Sequence, residues 1–291
     1  MSEAGLRFWI SLVVSVFLLV SEAMASWFFT VLIVFLIFPP LSVFAFMLYP
    51  LLVFLTVILF LVITDFGGSL EVGMIEWIQD LNAYNGLLSR SLRLANKFGV
   101  YVDRLGIAPY KRLNAFSYGI IRPKIVIFRG LLEELDSDEM DFVIAHELAH
   151  IKHRWVWIIH NFANAVSFLP LTTPPPIVFI LYITFIPVRL AFLWFLRECE
   201  FVADREALRI TGNVVAAVRA LAKLVRMGNV YDIEELDRIV CDRDLVDKVF
   251  NDVIEMLSGH PLIKRRVREI LREYQKTSLS ALNARIYTKL V

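Results

Sequence analysis

The chain has 291 residues, with 30 Lys or Arg against 29 Asp or Glu, and a formal net charge of +1. So even a balance excludes a molecule-wide field that would gather nucleic acid, and two cysteines are too few for a disulfide framework or a Cys-rich metal site. Its 58% hydrophobic content and mean hydropathy of +0.64 lie well above the roughly 45–50% apolar usage of soluble domains, which points to a membrane protein.

The first element in chain order is an apolar run from Leu6 to Thr64, interrupted only by Glu22, by Ser21 and Ser26, and by Pro39-Pro40. Since about 20 residues cross a bilayer, this length predicts two or three spans, with the proline pair as a turn and Leu41 to Thr64 as the cleanest span. Glu22 marks a boundary or a paired intramembrane acid. The run is too long for a signal peptide and ends in no small-residue cleavage site, so it is expected to stay in the mature protein.

Residues 65 to 145 read as ordinary folded protein. Helices are expected from about Glu71 to Phe98. The β-branched and aromatic run Lys124-Ile125-Val126-Ile127-Phe128, bounded by Pro123 and Gly130, predicts a strand of a small sheet. Asp136 and Glu139 then have the spacing of a capping box, which places the apolar-periodic stretch from Met140 to His150 on a helix.

Two further apolar arms, Trp155 to Leu169 and Ile177 to Leu196, flank a charge-free turn from Pro170 to Pro176 and read as spans or as a hairpin partly in lipid. Lys152, His153 and Arg154 precede the first arm and Arg197 follows the second. If the arms span, the positive-inside rule puts that side in the cytoplasm. The basic stretch from Lys264 to Lys276 reads as a solvated helix near anionic headgroups rather than a nucleic-acid patch. Expected domain organisation is therefore 1–64 transmembrane, 65–154 first part of one folded domain, 155–196 membrane-associated hairpin, and 197–291 second part of that domain with basic helices. Mainly α architecture with a small sheet beside the site helix is the expected fold class.

The chemistry centres on His146-Glu147-Leu148-Ala149-His150. Two histidines four residues apart share a helix face and can share one metal, and Glu147, one step round, can act as a base without taking a coordination position. A lone match of this kind also arises by chance, so a third ligand is needed. The position six residues beyond His150 is Val156 and no glycine stands where the metzincin pattern requires it, which excludes that class. His153 lies too far along the axis from His146 to reach the same ion well. Glu200 is the better candidate, with Asp204 one turn further on to accept the other ring N–H of a ligating histidine. The bland alternative for both is a solvated amphipathic face. Geometry argues against it: if a helix runs from Ser137 through Leu169, His150 lies about 7–8 Å before the first arm and Glu200 about 6 Å after the second. An antiparallel hairpin brings them to one level.

Taken together, His146 to His150, Glu200-Phe201-Val202-Ala203-Asp204, Asn114-Ala115-Phe116 with Gly119, and Ser258-Gly259-His260-Pro261 resemble the HtpX-like integral-membrane zinc metalloproteases, relatives of the CAAX prenyl endopeptidases. The resemblance covers most of residues 110 to 275. It implies a gluzincin-like α+β catalytic domain, one zinc ion on His146, His150 and Glu200, Glu147 as general base, and a role in clearing damaged membrane proteins at the cell membrane. His260 is placed where an oxyanion-stabilising or supporting group would be useful, or else is a structural turn residue. The strand around Asn114, Ala115 and Phe116 is either structural or a sheet edge that takes an extended peptide substrate. Expected partners are polypeptides and the lipid bilayer, with no nucleic acid. Two other readings are a narrow processing protease of CAAX-endopeptidase type, and a catalytically silent zinc-binding membrane scaffold. Intact Glu147 argues against the last.

Overall fold

The computed structural model describes residues 3–67, 75–156, 158–159, 175–224, 263 and 265–276. The chain divides into two compact units, Met1–Glu71 with Arg154–Glu198 and Met256–Gly259, and Val72–His153 with Cys199–Glu255 and His260–Val291.

In the first unit, α1 (Glu3–Ile37) meets α2 (Ser42–Gly67) through a 3-10 turn, Pro39–Leu41. Proline suits the first position of such a turn, where the missing N–H has no partner to lose. The Ser42 hydroxyl donates to the Pro39 carbonyl at 2.7 Å. Gly5–Ile37 and Pro39–Thr56 are long and apolar enough to cross a membrane.

Helix α1 has an inverted pattern. Its buried residues are Phe8, Ser11, Ser15, Leu19, Glu22 and Ser26, spaced three or four apart on one face, while Val13 and Phe17 on the other are 63% and 68% exposed. In hydrocarbon no water satisfies a hydroxyl, so the polar side chains turn to protein partners. Ser15 Oγ donates to the Ala191 carbonyl at 2.8 Å and Ser26 Oγ pairs with Tyr49 Oη at 2.7 Å. Large apolar side chains facing outward over this length are what lipid, not water, solvates.

The second unit holds a four-stranded sheet in the order β1-β2-β4-β3, made of β1 (Glu76–Trp77), β2 (Arg104–Ala108), β3 (Ala115–Tyr118) and β4 (Lys124–Phe128). β2 and β4 are parallel, and the two outer pairs are antiparallel. The strand expected over 124–128 appears with those bounds. The helix expected from about Glu71 instead begins as α3 (Ala83–Phe98), because residues 76–77 pair with β2 and Trp77 lies over Gly106. A Cβ on Gly106 would meet the Trp77 ring at 2.9 Å, so glycine makes the space. Gly119 opens the β3–β4 hairpin at a φ of +91°, a conformation that side chains resist.

After the short α4 (Arg129–Glu134), α5 (Ser137–Lys152) packs against β3 and α3. Its capping box is complete: Asp136 Oδ1 accepts from the N–H groups of Asp138 and Glu139, and Glu139 Oε2 accepts from the Asp136 N–H. Phe142, Ile144 and Leu148 are almost wholly buried. The expected continuation of this helix to Leu169 is broken: α5 stops at Lys152, His153 leaves helical geometry, and its ring goes to Glu206 Oε1 at 3.1 Å. Residues 155–156 and 158–159 are again helical, and most of the expected first arm and its turn lie outside the described residues.

One helix of 37 residues, α6 (Pro175–Thr211), contains the second arm, Glu200 and Asp204. It is followed by α7 (Val214–Leu224), which packs on α5, and by a last helix α8 over 265–276. The basic C-terminal stretch is not simply solvated: Arg266, Val267 and Ile270 are buried, the two apolar residues in the same core as Leu148 and Ala207.

Candidate metal centre

Helix α5 supplies His146, Glu147 and His150, and α6 supplies Glu200 and Asp204. His146, Glu147 and Glu200 are buried, and the His150 side chain is 25% exposed. His146 Nε2 and His150 Nε2 face each other at 3.1 Å. Glu200 lies 3.6 Å from the first through Oε2 and 3.4 Å from the second through Oε1. An ion held tetrahedrally at about 2.0–2.2 Å separates its ligand atoms by about 3.3–3.6 Å. The two ring nitrogens are slightly closer than that and Glu200 turns one oxygen to each, so two imidazoles and a carboxylate, a donor set that suits zinc, stand within 4.8 Å of one another. Among the described residues this is the one grouping of three or more His, Cys, Asp or Glu placed to hold a metal ion.

The i, i+4 spacing explains the histidine pair locally, and the second layer explains its orientation. His146 Nδ1 lies 2.9 Å from Asp204 Oδ1, and Asp204 is 1% exposed. A carboxylate at Nδ1 holds the ring proton there and leaves Nε2 free to bind a metal.

Asp204 is in turn gripped by Arg266, whose Nε donates to Oδ2 at 2.7 Å and whose Nη2 donates to Oδ1 at 2.6 Å. Arg266 Nη1 also lies 3.5 Å from Glu200 Oε2.

The electrostatics follow from three carboxylates around two rings. Burial works against protonation of His150, but the hydrogen bond and charge of Glu200, joined by Glu147, hold its pKa above the ordinary histidine value. Burial alone would raise Asp204, yet the charge and hydrogen bonds of Arg266, with His146, hold it below the usual carboxylate range. Such a site favours a cation.

Of the other expected residues, Asn114, Ala115 and Phe116 fall at the start of β3, the outer strand beside α5. The Phe128 N–H donates to the Asn114 carbonyl at 3.0 Å, and Ala115 pairs with Ile127. Antiparallel alternation then turns the backbone groups of Asn114 and Phe116 towards β4 and those of Ala115 and Ser117 outward. His153 stays apart from the cluster, bound to Glu206. His260 and the rest of Ser258 to Pro261 lie outside the described residues.

Arg266 is the residue that sequence reasoning missed, hidden among exposed cations. The available signal was its register: Ile263, Val267 and Ile270 form an apolar stripe, and Arg266 sits within it, three residues after Ile263 and four before Ile270.

The profile of peptidase family M48 matches residues 84–274, and the chain belongs to that family of metallopeptidases. It is 27% identical over 205 residues to a Protease HtpX homolog of Methanocaldococcus jannaschii, an alignment covering 62% of this chain and 72% of that one. It is 28% identical over 210 residues to a Protease HtpX homolog of Methanopyrus kandleri, covering 63% of this chain and 66% of the relative. Among solved structures it is similar to the crystal structure of S. mikatae Ste24p, with 16% identity and a TM-score of 0.49 over 91% of this chain and 66% of that chain.

Proposed function

We propose that this protein is a membrane-anchored zinc endopeptidase that hydrolyses peptide bonds in misfolded or damaged membrane proteins, with its catalytic part on the cytoplasmic side of the cell membrane. His146, His150 and Glu200 hold one zinc ion, and Asp204 fixes the tautomer of His146 by accepting from Nδ1. The observation that carries this reading is the convergence of His146, His150 and Glu200, whose ligand atoms lie within 4.8 Å of one another.

The chemistry that zinc supplies when bound is Lewis acidity, which lowers the pKa of an attacking water towards about 7 and polarises the scissile carbonyl. Glu147, buried on the same helix and acting electrostatically on both His150 and Arg266, takes the proton from the water and hands it to the leaving amine. The outward backbone groups of Ala115 and Ser117 on β3 offer an extended substrate a strand to pair with. Backbone pairing recognises peptides with little sequence preference, which suits clearance of unrelated chains. The inverted α1 supports membrane anchoring, and the cations at Lys152, Arg154 and Arg197 support the cytoplasmic orientation.

The test compares detergent-purified wild type with Glu147→Gln, measuring bound zinc and cleavage of several unrelated unfolded proteins. The reading predicts about one zinc in both samples and cleavage lower by about 10²–10⁴-fold in the variant. Wild type without zinc, or equal cleavage by both, sinks it. Activity confined to prenylated peptides would replace quality control with a dedicated processing role.

A further inference from the structure

Three carboxylates, Glu147, Glu200 and Asp204, share the buried centre with two imidazoles, and one cation from a distant part of the chain stands among them. Arg266 meets Asp204 through two hydrogen bonds of 2.7 and 2.6 Å, comes within 3.5 Å of Glu200, and has Nη2 3.4 Å from His146 Nδ1. With neutral histidines the side chains then sum to two negative charges, the complement of a divalent ion. Without Arg266 they would sum to three, and Asp204 would be a buried carboxylate with no cation to match it.

The fork also settles geometry. A carboxylate held by both oxygens cannot rotate away from His146, so the ring that it orients keeps Nε2 aimed at the ligand cluster. Arg266 reaches this position only because α8 docks through Val267 and Ile270 into the core, with Arg209 and Glu273 paired further along the helix.

We infer that Arg266 is a positioning residue of the metal centre, which locks Asp204 against His146 and makes zinc retention depend on the docked helix over 265–276. This rests on the reading that His146, His150 and Glu200 hold zinc. It assigns to Arg266 no contact with substrate.

The test measures zinc affinity of the full-length detergent-solubilised protein by competition with a chromophoric chelator. Thermal unfolding of the zinc-stripped protein is recorded alongside. Arg266→Lys keeps the charge and loses the fork; it should weaken zinc about tenfold, and Arg266→Met about a hundredfold, the span expected for partners of metal ligands. Arg272→Met removes an exposed cation from the same helix and should leave affinity unchanged.

If Arg266→Met does not fold, the paired change Arg266→Met with Asp204→Asn removes both buried charges, and it should fold yet still bind zinc weakly. Wild-type affinity in Arg266→Lys, with wild type itself binding zinc, overturns the positioning role alone; wild-type affinity in the paired variant overturns the role given to Asp204 with it. Wild type that binds no zinc overturns the metal reading and this inference together. Weaker zinc in Arg266→Lys with unchanged unfolding of the zinc-stripped protein supports the role, because a merely structural salt bridge would move stability instead.

Discussion

Helix α1 turns Ser11, Ser15, Glu22 and Ser26 inward and leaves Val13 and Phe17 outward, whereas α5 buries Phe142, Ile144 and Leu148 together with His146 and Glu147. Both helices hide polar groups, but only one displays its apolar ones. For α1, long and apolar enough to cross a membrane, lipid surroundings account for the pattern, because there a hydroxyl must find a protein partner and a phenyl ring needs none. For α5 the surroundings are packed protein, where apolar residues supply stability and His146 is retained beside the carboxylates of Asp204 and Glu200. The same burial pattern therefore reports the solvent in one unit and the chemistry in the other.

The comparison can be broken at either end. Glu200→Ala should have the largest effect, emptying the metal centre and taking cleavage below detection, with metal analysis and a peptidase assay on the same sample. If the variant keeps zinc, the ligand set is wrong. Phe142→Ala, at a site 1% exposed, should cost about 3–5 kcal/mol in denaturant unfolding of the second unit. Its counterpart Phe17→Ala, on the exposed face of α1, should cost less than about 0.5 kcal/mol in detergent. Comparable losses from the two would erase the contrast between the helices.

Placing a charge on the outward face sharpens the lipid assignment. Val13→Arg should reduce membrane integration by about 2.5–3.5 kcal/mol in an insertion assay, and unaffected insertion would show that this face does not meet hydrocarbon.

Glu206 gives a small effect that depends on pH. Burial would raise its pKa, but the hydrogen bonds and charges of His153 and Lys152 hold it below the ordinary carboxylate value. A depressed folded-state pKa adds stability that is present above the unfolded carboxylate pKa and lost as pH falls through the folded one. Wild type should therefore lose its advantage over Glu206→Gln on acidification through that window, an effect of no more than about 1 kcal/mol. A constant difference in unfolding midpoint across that range would contradict the pairing.

Much of the site could be read without coordinates because its parts are local. The capping box at Asp136 and Glu139, the strand over 124–128 and the shared face of His146 and His150 all follow from backbone periodicity within a few residues. The continuous helix through Leu169 was not local in this sense. Its break at His153 accompanies a contact with Glu206, 53 residues away, that periodicity does not encode.

Sequence by itself determined the apolar length that calls for a membrane, the helix that aligns two imidazoles, and the placing of a carboxylate pair one turn apart at Glu200 and Asp204. Tertiary structure decided which carboxylate oxygen meets which ring nitrogen. It also decided that one arginine, in a stretch rich in cations, would be drawn into the centre. The reason is range: hydrogen bonding along a helix fixes neighbours three and four apart, but partners 62 and 120 residues apart meet only once the apolar stripe of α8 has found the core.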